Sequence, residues 1–359
     1  MAHGISIILC CYNGESRLPT TLSYLRAQTH PGVPWEVILV DNASTDDTGK
    51  VALSSWGSGP APLRVVQEAQ LGLQNARERG LTESTYDFLG FIDDDNWVAS
   101  DWVRRASEAL ASDPGLGAVG GICVPTFGVP APRWFKEFHS TYAILTDDDL
   151  RYRVVPEYLH GAGLCVRKRA WIELIQSGFC SLVTDRVGGH LSGGGDTELT
   201  LAIRLAGWKI RVESRLRLQH FMPAERLRWE YLRRLKRGYG ASQVLLDAYT
   251  EHSLSLGSGP RSWLSDRWWY QLGKSVRKIA SQPRAVLAAL SYDCEGQNVA
   301  LEIEEQFGRA RGLLRLRGRY GRIRRGVRKA SWRGSGLCDR ALLLASVEST
   351  KPSAIEQRF

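Results

Sequence analysis

Long apolar runs are missing from this chain: no stretch reaches the roughly eighteen residues of a membrane-spanning helix. The seven cysteines include the adjacent Cys10 and Cys11 but form no C-x-x-C pair. That argues against a disulfide framework and against a zinc site, and a reducing cytosol fits best. No cationic segment precedes residues 5–11, which run straight into patterned sequence, so a signal peptide is not expected and a cytoplasmic location is. Acidic residues are absent from 309–333, where eleven basic residues stand.

The net charge of +9 is therefore unevenly placed. Residues 1–259 hold 27 Lys/Arg and 29 Asp/Glu, whereas residues 260–359 hold 20 and 9. The basic character belongs to the tail and says nothing about the body. Length and composition allow one large globular α/β domain plus an appendage.

Residues 6–10 form an apolar strand that ends in the turn chemistry of Tyr12-Asn13-Gly14. Leu18, Leu22 and Leu25 follow at helical spacing, with Pro31 beyond them. Strands over 35–40 and 63–67 alternate with a helix capped by Ser44-Thr45-Asp46 and a short helix over 72–80. This alternation predicts an α/β fold, a parallel sheet wrapped by helices. Further on, Asp101 is expected to cap a helix carrying Val103, Ala106 and Leu110, and 118–124 reads as a strand. Residues 125–158 read as irregular, with Asp147-Asp148-Asp149 as a solvated loop. Trp134 and the aromatics after it suit either sugar stacking or a hydrophobic flap over the sheet.

One apolar run, 88–92, stops abruptly in Asp93-Asp94-Asp95. Three adjacent carboxylates repel one another and hold protons unless a cation sits among them. Oxygen ligands with no Cys or His beside them suit Mg²⁺ or Mn²⁺ rather than zinc. Ligands in open α/β sheets bind beyond the carboxyl ends of strands, which is where this triplet falls. A solvated acidic turn capping the next helix is the plain alternative.

Ile8-Leu9-Cys10-Cys11-Tyr12-Asn13, then Val40-Asp41-Asn42-Ala43-Ser44-Thr45-Asp46, then Phe91-Ile92-Asp93-Asp94-Asp95 resembles the nucleotide-binding half of a family 2 glycosyltransferase. Each motif is unspecific alone; their order and spacing over 4–240 carry the resemblance. It implies a GT-A fold, a Rossmann-like mixed sheet flanked by helices. Cys11 stands where Thr is common, and Asn42-Ala43 where Asp-Gly is common. The resemblance implies that Tyr12 stacks on the base, that Asp41 or Asn42 hydrogen-bonds it, and that Glu15 lies near. Gly72, Ala76 and Arg77 match a stretch that lines the nucleotide site, although Arg77 could equally be a surface cation. Asp95 is implied as the metal ligand, with Asp93 and Asp94 holding the ribose and the metal's waters.

A second constellation follows. In His160-Gly161-Ala162-Gly163, small residues let backbone approach a ligand closely. The resemblance implies that this turn lies beside donor sugar and acceptor. Gly193-Gly194-Gly195-Asp196-Thr197-Glu198 then leads into helical spacing at Leu199, Ala202, Ile203 and Ala206. Asp196 thus falls at a helix N-terminus, where a carboxylate is favoured. The resemblance makes it the inverting general base, with Gly195 in place of the usual Glu and with Glu198 among the acceptor contacts. Short strands over 208–212 and 216–219 precede His220, implied as a metal or diphosphate ligand or else structural. Arg226, Arg233, Arg234 and Arg237 suit diphosphate neutralisation or a solvated basic face.

A linker is expected at 257–262, followed by a basic, Trp-rich helical extension. The domains expected are 1–250, with halves 1–124 and 125–250, and 251–359. Helices rich in Arg and Trp can lie on anionic membranes, and 260–340 fits that surface better than nucleic acid. A basic subdomain packed on the body is the alternative. The resulting expectation is a Mn²⁺- or Mg²⁺-dependent inverting glycosyltransferase. It uses a nucleoside-diphosphate sugar, UDP first, and a saccharide or lipid-linked acceptor in polysaccharide or glycoconjugate synthesis. Two other classes compete. A nucleotidyltransferase should carry a Gly-rich phosphate loop after the first strand, and residues 12–17 hold one Gly and no repeat. A non-catalytic binding protein has no need of Asp95 and Asp196.

Overall fold

The computed structural model describes residues 2–152, 157–183, 193–253, 263–290 and 294–333. Four strands open the chain: β1 (Ala2–Cys11), β2 (Trp35–Asp41), β3 (Leu63–Gln67) and β4 (Tyr86–Ile92). They are parallel and joined by helices α1 (Leu18–Arg26), α2 (Thr48–Trp56) and α3 (Leu73–Glu83). β2 is buried at every position, as expected of a parallel strand covered on both faces. Cys11 pairs with Asp41 and Leu9 with Ile92, so β1, β2 and β4 end along one sheet edge. Tyr12, Asn42 and Asp93 follow directly and share that edge.

The second half adds β5 (Asn96–Val98), β6 (Leu116–Phe127), β7 (Cys165–Arg167) and β8 (Lys209–Met222). The strand order is β3-β2-β1-β4-β7-β6-β8-β5, with β7 antiparallel to both β4 and β6. Helices α4 (Trp102–Ala111), α5 (Phe135–Phe138), α6 (Asp147–Tyr152), α7 (Lys168–Gln176) and α8 (Gly195–Leu205) flank it.

Several local expectations need correction. The two short strands over 208–219 are one strand, β8, with a register shift opposite Gly121 and Ile122. Gly121 permits it, because a Cβ there would collide with the Leu216 carbonyl. The shift interrupts the apolar alternation, which is why one strand reads as two. Asp101 makes no side-chain cap; its carboxylate pairs with Arg104 and Arg105 on the first turn of α4. Of the expected irregular segment, the described residues 125–152 include the end of β6, α5 and α6, and Asp147, Asp148 and Asp149 open α6 rather than a solvated loop. Asp149 is buried and accepts from Thr146 and His139.

The chain continues as α9 (Trp229–Ser253), α10 (Trp268–Ala280), α11 (Pro283–Leu290), α12 (Asn298–Leu316) and α13 (Tyr320–Arg328). The expected linker at 257–262 lies outside the described residues. Helix α9 runs through residue 250, and α12 packs along it at closest range through Gly240 and Gly308. A Cβ on either would strike the partner helix's backbone, at the Glu305 or Arg237 carbonyl. Glu304, only 1% exposed, accepts from Arg233 and Arg237 across the same seam. Those two arginines, considered for diphosphate neutralisation, are instead ion-paired with Glu304 of the helical layer.

Candidate functional site

The carboxylates at the end of β4 have three different surroundings. The Asp94 carboxylate lies 2.6 Å from Arg17 Nη2 and accepts the Cys11 thiol proton at 3.2 Å. Burial, with Asp94 beside it, pushes the Cys11 thiol far up, so Cys11 stays a proton donor to the acid. The Asp94 hydrogen bond in turn raises Arg17 above its ordinary value. Asp95 is 3% exposed; its Oδ2 lies 2.7 Å from Arg226 Nη2 and its Oδ1 accepts from Asn96 at 3.1 Å. His220 Nε2 lies 3.4 Å from Asp95 Oδ1 and 3.0 Å from Arg226 Nη1. Register explains the proximity: Asn96 on β5 pairs with His220 on β8. Asp93 is partly buried and lines the same cleft.

Across the cleft, Asp196 is the second residue of α8, behind Gly194 at φ 119°. Its Oδ2 accepts a short hydrogen bond from the Gly161 amide. Glycine keeps this approach close, since a Cβ at 161 would come 3.0 Å from Asp196 Oδ2 and 3.1 Å from Arg77 Nη2 and crowd both side chains. Both motifs open on one cavity of about 310 Å³, lined by Cys11, Tyr12, Asn42, Arg77, the triplet, Gly161, Ala162, Gly194, Asp196, His220 and Arg226. Of these, Tyr12 is the exposed aromatic, 42% accessible at the rim. A second cavity of about 530 Å³ shares Gly194 and Asp196 but none of the triplet.

Other expected site residues take different places. Asp41 does not line the cavity; it is buried and accepts from the Ser44 amide and Gln67. Asn42 lines it, yet its amide donates to the Glu68 and Gln70 carbonyls and accepts from the Gly72 amide. Both brace the turn where a base contact was expected. Asn13 holds Thr45, and Glu15 accepts from the Asp47 amide at the surface, outside the cavity. Gly72 is the N-cap of α3 at φ 140°. Gly163, at φ 69°, packs against Leu218 rather than the cavity, and Gly195 is buried at the start of α8. Trp134 is buried, donating to Glu295 at 2.8 Å and packing on Trp229, so its ring is not offered to a sugar. Glu198 is fully buried and faces away from the cleft. It accepts from the amides of Leu182 and Val183, from Ser181 and from Tyr249, a structural role that replaces the expected ligand contact. Burial and the Glu198 carboxylate push the Tyr249 hydroxyl far up, so it remains a donor.

The structure adds residues that the motifs did not reveal. Tyr231, Leu235 and Tyr239 line the first cavity from one face of α9. Their spacing of four was the available signal. Arg17 and Thr141 also reach the wall.

A family model described as "Glycosyl transferase family 2" matches residues 6–183. The succinoglycan biosynthesis protein ExoM of Rhizobium meliloti is 28% identical over 250 residues, covering 68% of this chain and 75% of that protein. Glycosyltransferase AglE of Haloferax volcanii is 29% identical over 133 residues, 36% of this chain and 43% of that one. Among solved structures, the mannosyltransferase PcManGT from Pyrobaculum calidifontis, in complex with GDP-Man and Mn²⁺, aligns with TM-score 0.48 at 17% identity over 98% of this chain and 89% of that one. Matched segment, motif order and the mixed sheet that switches direction at β7 agree: residues 6–183 are a glycosyl transferase family 2 domain with the GT-A fold, and the chain is a glycosyltransferase.

Proposed function

We propose that this enzyme transfers a sugar, with inversion, from a nucleoside-diphosphate donor to a hydroxyl of a saccharide or lipid-linked acceptor. The product belongs to a polysaccharide or glycoconjugate, in keeping with the printed role of the succinoglycan relative. We expect UDP as the nucleotide. The observation that carries this reading is Asp196, which lines both the cavity holding the acid triplet and the cavity holding none of it. One carboxylate between two compartments suits a base that serves an acceptor on one side and a donor on the other.

The first cavity takes the donor, with Tyr12 at its rim and Asp93 and Arg77 on its wall. The second, lined by His160, Tyr158, Tyr239 and Glu305 of the tail, takes the acceptor. Asp196 accepts the acceptor's hydroxyl proton while that oxygen attacks the anomeric carbon. The bond from that carbon to the diphosphate oxygen breaks, and no covalent intermediate on the protein is required. The Gly161 amide holds Asp196 in place for this step.

Among the described residues no group of three or more His, Cys, Asp or Glu side chains is placed to hold a metal ion by itself. The donor set at Asp95 nevertheless fits a cation. Arg226 can only donate, so the single lone pair of His220 Nε2 accepts that hydrogen bond, 3.4 Å from the carboxylate that Arg226 also grips. His220 Nδ1 then carries the ring proton, buried with no hydrogen-bond partner among the described residues. Asp95 and His220 would hold Mn²⁺ or Mg²⁺ with the donor's own oxygens, and such an ion supplies positive charge for the departing diphosphate.

No helix among the described residues is long and apolar enough to cross a membrane. Arg311, Arg315, Arg317, Arg319, Arg322, Arg325 and Lys329 are exposed on α12, α13 and their junction, with no acid between 309 and 333. This supports peripheral contact with an anionic membrane rather than nucleic acid. Sedimentation with vesicles containing phosphatidylglycerol tests it, and protein that stays in the supernatant overturns it.

The transfer reaction is tested by incubating the full chain with UDP-, GDP- and dTDP-sugars, Mn²⁺ and oligosaccharide acceptors. Release of nucleoside diphosphate and a product of inverted configuration by NMR is expected. Release of sugar 1-phosphate in place of nucleoside diphosphate would indicate nucleotidyl transfer, a retained configuration would remove the assigned role of Asp196, and no turnover of any donor would favour a binding protein.

A further inference from the structure

The cation that grips Asp95 belongs to the chain itself. Arg226 follows the end of β8 and puts one guanidinium nitrogen 2.7 Å from Asp95 Oδ2 and another 3.0 Å from His220 Nε2. These are the two groups that the proposed function assigns to a divalent ion. Asp95 is 4% exposed at its side chain and Arg226 18%, so water screens the pair weakly. The Arg226 backbone is held separately, its carbonyl accepting the Tyr142 hydroxyl at 3.0 Å, which leaves the side chain to move alone.

We propose that Arg226 is an internal counter-cation that closes the Asp95–His220 site and yields it only when a diphosphate is present. A guanidinium and a divalent ion cannot share one carboxylate oxygen and one imidazole lone pair. Each also repels the other in a weakly screened site. A divalent ion arriving alone must displace Arg226 from Asp95, while Asp94 is already paired with Arg17 and Asp196 already accepts the Gly161 amide. A nucleoside diphosphate supplies a fresh anion. Arg226 already lines the donor cavity, so its guanidinium can exchange one carboxylate for phosphate oxygens, to which its fork is well matched. Ion and nucleotide then bind cooperatively, and by linkage each raises the other's affinity by the same factor. Arg226 would be a positioning residue that keeps the site from filling before the donor arrives.

This inference rests on the divalent-ion reading above, and the experiment separates the two. Mn²⁺ binding to the full chain is measured from the free-ion EPR signal, with and without UDP, GDP or dTDP. The proteins compared are wild type, Arg226→Ala and Arg226→Gln. The Gln variant keeps hydrogen-bonding capacity toward Asp95 and His220 while losing the charge, which protects the fold. Wild type should bind Mn²⁺ weakly alone and about tenfold or more tightly with nucleotide. Both variants should bind Mn²⁺ alone roughly tenfold more tightly than wild type, with most of the nucleotide coupling gone. Equal Mn²⁺ affinity in wild type and variants without nucleotide would overturn the counter-cation role and leave the divalent-ion reading standing. Failure of every protein to bind Mn²⁺ with any nucleotide would remove that reading and this one with it.

Discussion

Asp196 and Glu198 stand two residues apart at the start of α8, and the structure predicts opposite consequences of removing each charge. In Asp196→Asn an oxygen remains to accept the Gly161 amide, at a partly buried position. The stability cost should stay below about 0.5–1 kcal/mol. Loss of a positioned base should slow transfer by a factor on the order of 10² to 10⁴, about 2.7–5.4 kcal/mol of barrier. Donor and Mn²⁺ affinity should hold, since the side chains assigned to them lie on other elements. Glu198→Ala reverses the pattern. Its carboxylate answers four donors in a fully buried position. The hydroxyls of Ser181 and Tyr249 can rotate toward other acceptors, whereas the amides of Leu182 and Val183 cannot. Two stranded amides at about 1–3 kcal/mol each put the loss near 2–6 kcal/mol. Urea unfolding followed by Trp fluorescence measures the stability term, and single-turnover transfer at saturating donor measures the rate. Glu198→Ala with wild-type stability and collapsed turnover would mean that Glu198 faces substrate. Asp196→Asn with donor affinity falling in step with rate would make Asp196 a sugar ligand rather than a base.

Asp95→Ala should abolish the Mn²⁺-dependent gain in donor affinity seen by calorimetry, and an unchanged gain would refute the assignment of the ion to this carboxylate. Gly308→Ala drives a methyl into the Arg237 carbonyl and should cost roughly 1–3 kcal/mol in urea unfolding, with the α9–α12 seam opening first in hydrogen exchange. Removing residues 260–359 strips α12 from α9 and exposes the apolar face it covers, so the truncated body should melt lower and aggregate, whatever happens to vesicle binding. The Arg328 hydrogen bond, with Arg324 beside it, holds Asp266 below the usual carboxylate range. A depressed folded pKa means that its stabilisation is complete above the unfolded value of about 3.9 and is lost as pH falls through the lower folded value. Amide exchange in α13 should therefore accelerate below about pH 4, and Asp266→Asn should remove that step.

The local features were legible because their causes are local. The apolar run of β3 is bounded by turn residues and was readable to the residue, as Leu63–Gln67. The same reasoning placed the triplet at a strand's carboxyl end and Asp196 at a helix start, since an abrupt change from apolar to charged residues needs no distant partner to interpret. Contacts across the fold were not legible. Nothing near Glu198 in sequence announces Tyr249, fifty-one positions away, as the donor that turns a cleft acid into a buried one. Trp134 suited either a sugar platform or a hydrophobic flap until the hydrogen bond its indole N–H donates to Glu295, from the tail, placed it in the interior. Arg226 was one arginine among several; only the pairing of β5 with β8 brings His220 to Asp95 and so places Arg226 between them. The tail's charge suggested a partner outside the molecule, yet Asp247 binds Arg309, and Asp266 binds Arg324 and Arg328, within it. Periodicity and turn chemistry specify which residues share a strand or a helix face. Which group each side chain meets depends on strand register and on helix seams such as Gly240 against α12, and those are set by packing between segments far apart in the chain.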